Sequence, residues 1–265
     1  MTSLRTAAAV LLVALASTVT LALASSADLA GGDALAPTQD DDGQKAPDKK
    51  SDAKADFEGD AFTLTTCPVS GEALGSMGEP IALTVEGRQV KLCCKGCVKR
   101  MKAEPAKYLE KVDEALVADQ LRVYPSKTCI VSDEPLVEDG EDIGENVIVG
   151  NRLFRTCCGM CAKKLKKDPA RYFAKLDKAV IAAQVKHYPL DTCIVATKSK
   201  LGSMGDPDQV VIANRLVQFC CAGCRKKFFA DPAAHLAKLD AAWMKLHDEH
   251  GKAHEHDKGH GDGGQ

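Results

Sequence analysis

The residues in this chain best suited to chemistry are its cysteines. The 265-residue sequence carries 12 of them, and they fall into three sets of four. The first set is Cys67, Cys93, Cys94 and Cys97. The second is Cys129, Cys157, Cys158 and Cys161, and the third is Cys193, Cys220, Cys221 and Cys224. Each set has one distal cysteine and a tight Cys-Cys-x-x-Cys cluster. Three uses are open. Thiolates brought to one point form a tetrahedral site that selects Zn(II) or Cu(I) over hard cations. The even number also permits a disulfide framework, with two bonds per set, in a secreted interaction module. A Cys-x-x-Cys pair can also cycle as a thiol-disulfide oxidoreductase. Against that third use, no thioredoxin-like βαβ pattern surrounds these pairs.

The elements that must position the sulfurs repeat with the cysteines, at intervals of about 63 residues. Each copy opens on a knuckle-like turn: Thr66-Cys67-Pro68, Thr128-Cys129-Ile130 and Thr192-Cys193-Ile194. A loop follows, then two short β-rich runs. Residues 82–85 and 88–92 flank Glu86-Gly87 in the first copy. Residues 146–149 and 152–156 flank Gly150-Asn151 in the second. Residues 210–212 and 215–219 flank Ala213-Asn214 in the third. Two-residue loops of Gly and Asn predict tight β-hairpins. The second strand feeds directly into the cysteine cluster.

A short helix is expected at the last cysteine of each copy. A longer one restarts at Glu104-Pro105, Asp168-Pro169 and Asp231-Pro232, where an acid at the N-cap precedes Pro at the first helical position. Its core stripe is Tyr108, Leu109, Val112, Ala115 and Leu116 in the first copy. The equivalents are Tyr172, Phe173, Leu176, Ala179 and Val180, then His235, Leu236, Leu239, Ala242 and Trp243. The fold class is therefore α+β, built of three tandem small modules that pack partly together. A unit of about 60 residues has a marginal core and needs a metal, disulfides or docked neighbours. The helix N-terminus beside each cluster favours the thiolate, which is the form that binds metal.

Each copy resembles the YHS and TRASH group of treble-clef-like metal-binding modules. The third copy carries the closest likeness, in Phe219-Cys220-Cys221-Ala222-Gly223-Cys224-Arg225-Lys226-Lys227-Phe228 followed by Asp231-Pro232. The first adds Cys67-Pro68-Val69-Ser70-Gly71, similar to that group's leading knuckle, and Tyr108-Leu109 and Tyr172-Phe173 match its aromatic helix positions. The resemblance implies heavy-metal sensing, trafficking or resistance, often beside a copper transporter. It implies as ligands Cys67, Cys93 and Cys97, then Cys129, Cys157 and Cys161, then Cys193, Cys220 and Cys224. The group's second knuckle cysteine is here Ser70, Ser132 and Ala196. The additional thiols Cys94, Cys158 and Cys221 are candidates for the missing fourth ligand, and an open three-sulfur site is the rival arrangement.

The flanks give the setting. Arg5 precedes an apolar run, Ala7 to Ala24, ending Ala22-Leu23-Ala24, which predicts a cleaved signal peptide over 1–24 and export to the periplasm or cell envelope. No membrane association is expected after cleavage. A disordered linker is expected over 25–60, where Ala, Asp, Lys, Gly and Pro dominate. The three cysteine modules then span 61–121, 122–186 and 187–247. The segment 248–265 reads as a His-rich disordered tail whose His250, His254, His256 and His260 suit Zn or Cu. Met77 and Met204 are read as loop-packing residues, and Arg88, Arg152 and Arg215, recurring at one hairpin position, as solubilising the turns. The formal net charge of -2 gives no basic field for nucleic acid. No paired carboxylates, Ser-His-Asp set or phosphate-cradling loop stands out, so no enzyme is expected. The expected partners are metal ions, one Zn or Cu(I) per module, and a transporter or another envelope protein that receives them.

Overall fold

The structure, a computed structural model, describes residues 58–256, with side chains as far as Asp248. The expected signal segment, nearly all of the leader, and the side chains of His250, His254, His256 and His260 lie outside the described residues. The fold mixes helices with small sheets. In chain order, β1 (Ile81–Val85) and β2 (Arg88–Leu92) precede α1 (Lys95–Ala103) and α2 (Pro105–Leu121). Next come β3 (Val137–Glu138), β4 (Glu141–Asp142), β5 (Glu145–Val149), β6 (Arg152–Thr156), α3 (Gly159–Lys167) and α4 (Pro169–Gln184). The last set is β7 (Asp208–Ile212), β8 (Arg215–Phe219), α5 (Ala222–Phe228) and α6 (Pro232–His256). The strands pair as antiparallel hairpins, β1–β2, β3–β4, β5–β6 and β7–β8. The β3–β4 ribbon has only two residues per strand, too short for a periodic signal in the sequence. The helix α6 reaches His256, so the sequence boundary at residue 247 falls inside a helix.

Local chemistry explains each element. Both turn residues of the three main hairpins have positive φ: 48° and 75° at Glu86-Gly87, 53° and 63° at Gly150-Asn151, 48° and 60° at Ala213-Asn214. That is the type I′ geometry whose twist matches the flanking strands. Gly150 serves a second purpose. A Cβ on Gly59 would lie 2.3 Å from the Gly150 carbonyl oxygen, so the two backbones approach closely, and Asp60 N–H donates to that oxygen at 2.7 Å. Proline opens α2, α4 and α6 as expected. The acid before it caps by its side chain only at Asp231, where Ala234 N–H donates to Oδ1 at 3.2 Å. Glu104 and Asp168 make no such bond.

The expected helical stripes are buried: Tyr108, Leu109, Val112 and Leu116 on α2, Tyr172, Leu176 and Val180 on α4, Leu236 and Leu239 on α6. The apolar clusters cross the copies. Ile148 of β5 packs on the first cluster, and Val211 and Leu216 of the third hairpin belong to the second. Met77 and Met204 are 64% and 72% exposed, so their loops leave them in solvent instead of packing them.

The hairpin arginines are not solubilising residues. Arg152 and Arg215 are almost fully buried, and they lock the copies together. Arg152 grips Asp60 with two hydrogen bonds, Nε to Oδ2 at 2.8 Å and Nη2 to Oδ1 at 2.6 Å. It also pairs with Asp177 and donates to Val211 O at 2.6 Å. Arg215 engages Asp240 through Nε and Nη2 at 2.7 and 2.8 Å, and Asp119 through both Nη atoms at 3.0 and 2.8 Å. Arg88 pairs with Asp113 at 2.6 Å. Buried guanidinium needs such bidentate partners. Asp60, at the end of the expected disordered linker, is instead buried and ordered. Its apolar neighbourhood carries no helical or strand period, but its carboxylate neutralises Arg152 and accepts from Ala213 N–H at 2.7 Å.

A glutamine at the end of each of the first two long helices clasps the next hairpin. Gln120 donates to Asn151 O at 2.9 Å and accepts from Leu153 N–H at 2.9 Å and Asn214 Nδ2 at 3.3 Å. Gln184 repeats the clasp on Asn214 O and Leu216 N–H at 3.0 and 2.8 Å. Gln120 has no solvent exposure. Replacing it with alanine is expected to cost about 1–3 kcal/mol, because buried donors are left unpaired. Urea unfolding checks this, and an unchanged midpoint would show that water takes over the glutamine's role.

Candidate metal centre

Each site is assembled from three pieces of chain. The distal cysteine sits in a tight loop closed by a backbone bridge, Thr66–Ala73, Thr128–Pro135 or Thr192–Lys200. The loop is tied by Cys67 N–H to Glu72 O at 2.8 Å, Cys129 N–H to Glu134 O at 2.7 Å and Cys193 N–H to Ser199 O at 2.9 Å. The first cluster cysteine, Cys93, Cys157 or Cys220, directly follows the second hairpin strand. The last, Cys97, Cys161 or Cys224, lies in the first turn of the short helix.

These pieces converge. The sulfurs of Cys67, Cys93 and Cys97 all lie within 4.8 Å of one another, as do those of Cys129, Cys157 and Cys161, and those of Cys193, Cys220 and Cys224. Within the triads the Cys93–Cys97, Cys157–Cys161 and Cys220–Cys224 sulfurs are 3.6, 3.8 and 3.7 Å apart. A tetrahedral ion with bonds of about 2.3 Å to sulfur needs sulfurs about 3.8 Å apart. Bonded sulfurs are about 2.05 Å apart, and all twelve thiols here are free. The donor set thus fits one soft cation per triad.

The fourth thiols stand apart. Cys94, Cys158 and Cys221 are outside the triads and are the N-cap residues of α1, α3 and α5. They are partly exposed, whereas most triad cysteines are buried. The fourth side of two triads carries a hydroxyl. Ser70 Oγ shares a hydrogen bond with Cys93 Sγ at 3.3 Å, and Ser132 Oγ with Cys157 Sγ at 3.4 Å. Ala196 offers none, and its N–H instead donates to Cys193 Sγ at 3.4 Å. Arg100 Nη2 lies 4.0 Å from Cys97 Sγ, placing a cation beside the first triad. Sequence reasoning gave no role to Ser70, Ser132 or Arg100. Their spacing was visible, three residues past a triad cysteine in each case, but only the fold turns them back towards sulfur. Met160, within the second cluster, points to solvent at 73% exposure.

The environment divides the thiols of one triad. Burial works to raise Cys67, but hydrogen bonds from the Ser70 hydroxyl and the N–H groups of Cys93, Ser70 and Val69 outweigh it and bring the thiol down to about 6. The balance is similar at Cys129, where burial is outweighed by Ser132 and neighbouring N–H groups and the value falls to about 7. Cys193 is likewise lowered against its burial. Burial, then the neighbouring sulfurs, push Cys97, Cys161 and Cys224 up to about 12. The distal cysteine is thus the first thiol of each triad to ionise, making Cys67 a resident thiolate at neutral pH, and the helix cysteine is the last.

The sign of the pH effect follows. For the metal-free chain, the lowered Cys67 contributes stability above its ordinary value of 9.0 that is lost as pH falls towards 6. The raised Cys97 contributes stability below 9.0 that is lost as pH rises towards 12. Thiolate ultraviolet absorbance of the metal-free chain should therefore show an early step between pH 6 and 7, reduced in a Cys67→Ser, Cys129→Ser variant that keeps the lowered Cys193. Absence of any step below about pH 8, where an ordinary thiol begins to ionise, would remove the resident thiolate.

Comparison with protein-family models, with curated proteins and with solved structures gives no match. Among the described residues, no helix is long and apolar enough to cross a membrane.

Proposed function

We propose that this is an exported protein that binds soft metal ions, one Zn or Cu(I) in each of three tandem treble-clef-like modules, for buffering, resistance or delivery to a transporter. The single observation that carries this reading is the threefold recurrence of three converging free thiols at spacings suited to one ion. Family likeness supports it through the Cys67-Pro68-Val69-Ser70 knuckle and the Phe219-Cys220 cluster, and export through the apolar run after Arg5. The site is built for binding and not for turnover. Three thiolates supply charge and softness, burial excludes water, and the hydroxyl or N–H donors hold the sulfurs in place.

Elemental analysis and a free-thiol count on the purified full chain test the proposal. Close to three ions per chain is expected, with all 12 thiols reactive after chelation and unfolding. A chain with no bound metal and no free thiols would be a disulfide-stapled scaffold instead.

A further inference from the structure

The fourth cysteine of each set has no place in the triad, yet it recurs in all three copies and occupies the same position each time. Cys94 is the N-cap of α1, a nine-residue helix, and Cys158 is the N-cap of α3, also of nine. Each begins a Cys-x-x-Cys pair whose other member, Cys97 or Cys161, is a buried triad cysteine. The Cys94 sulfur folds over the first helical turn, 3.7 Å from where a Cβ on Gly96 would stand, and the Cys221 sulfur lies 3.8 Å from the same point on Gly223. The N–H groups of Cys97 and Gly96 face the Cys94 sulfur. The Cys158 sulfur lies 3.8 Å from that of Cys157. Cα atoms three residues apart in a helix are about 5 Å apart, inside the range a disulfide bridges. A partly exposed thiol therefore stands within disulfide reach of a buried triad cysteine.

We infer that Cys94–Cys97, Cys158–Cys161 and Cys221–Cys224 are sites of thiol-disulfide exchange whose oxidation withdraws one ligand from each triad and releases its ion. The inference rests on the metal reading above, and the substrate class is a disulfide carried by a small molecule or a protein. The partly exposed Cys94 sulfur gives up its proton and attacks one sulfur of the incoming disulfide, forming a mixed disulfide and expelling the other sulfur as a thiolate that takes up a proton. The sulfur of Cys97 then attacks Cys94 Sγ, closing the internal bond and expelling the second thiolate. The pair loses two electrons, and the substrate disulfide gains them as two thiols. The ion keeps its charge and is left with two sulfurs, Cys67 and Cys93. The reverse exchange with a reducing dithiol restores the triad.

The test uses the full chain loaded with Zn(II), exposed to oxidised glutathione, with released zinc read by a chromogenic chelator and new disulfides located by peptide mapping. Wild-type protein should release its zinc while Cys94–Cys97, Cys158–Cys161 and Cys221–Cys224 bonds appear. A Cys94→Ser, Cys158→Ser, Cys221→Ser variant should load the same number of ions and release them at least tenfold more slowly. Release at the wild-type rate, bonds mapped within the triads, or a lower zinc load in the variant would each overturn the inference, the last by making the fourth thiols ligands. If wild-type protein binds no zinc, the metal reading fails on its own. Mapping on the metal-free chain still decides the exchange, since it must give the same three bonds.

Discussion

Replacing Arg152 with alanine is expected to destabilise the fold by about 3–5 kcal/mol, the cost of stranding a buried charge when its partner is removed. Asp60 is the charge stranded, since its side chain is 7% exposed and both its oxygens are taken up by Arg152. The substitution also frees Val211 O and Asp177. Because Asp60 precedes the first copy while Arg152 and Val211 lie in the second and third, the loss should be felt across the described chain. Chemical unfolding followed at once by far-ultraviolet circular dichroism and by Trp243 fluorescence is the measurement. Both probes should shift together towards lower denaturant. A shift of the far-ultraviolet signal with Trp243 unmoved would show that the third copy folds without its neighbours. Losing Asp60 as well, in an Asp60→Asn, Arg152→Met variant, should recover much of the stability, since an apolar replacement of a buried pair is often near neutral. Replacing Arg152 with lysine should rescue little, because a single ammonium cannot span two carboxylate oxygens and a carbonyl.

Cys97→Ser is expected to lower the ion count from three to two, with the second and third triads unaffected. The affinity of the first site should fall by at least about 100-fold, since even changes in groups behind a ligand cost 10–100-fold. The exchange of sulfur for oxygen changes volume little, so the metal-free variant should unfold near the wild-type midpoint. The difference appears only with metal. At free ion about 1,000 times the dissociation constant, binding stabilises a site by about 4 kcal/mol, and the variant forfeits that share. Titration calorimetry counts the sites and thermal unfolding with and without metal reads the linkage. Three ions bound by the variant would move the site away from the triad. The same substitution at Cys94 should leave the count at three, because that sulfur lies outside the triad.

Much of the site was legible in the sequence. The knuckle cysteine, the hairpin turn and the cluster each carry their own local signal, and the nine cysteines that the resemblance implies as ligands lie together in three triads. The hairpins were placed within one or two residues, since Gly-Asn type turns fix their position. The fourth thiols were harder. Spacing put Cys94 beside Cys93, but adjacent residues in an extended chain point to opposite sides, so one sulfur enters the triad and the next caps a helix. Ser70 and Ser132 stand where the resembling group has its second knuckle cysteine, and the fold sets their hydroxyls beside the Cys93 and Cys157 sulfurs as hydrogen-bond partners.

The sequence by itself determined the repeated order of knuckle, hairpin and helices, because turn preference, helix starts and apolar stripes act over a few residues. Tertiary structure alone decided what the polar positions do. Arg152 and Arg215 read as surface residues until Asp60, Asp119 and Asp240, from elsewhere in the chain, close around them. Gln120 and Gln184 read as helix ends until the next hairpin arrives to be bound. A charge or amide is buried only when partners far along the chain satisfy it, and no short window of sequence contains both sides of that bond.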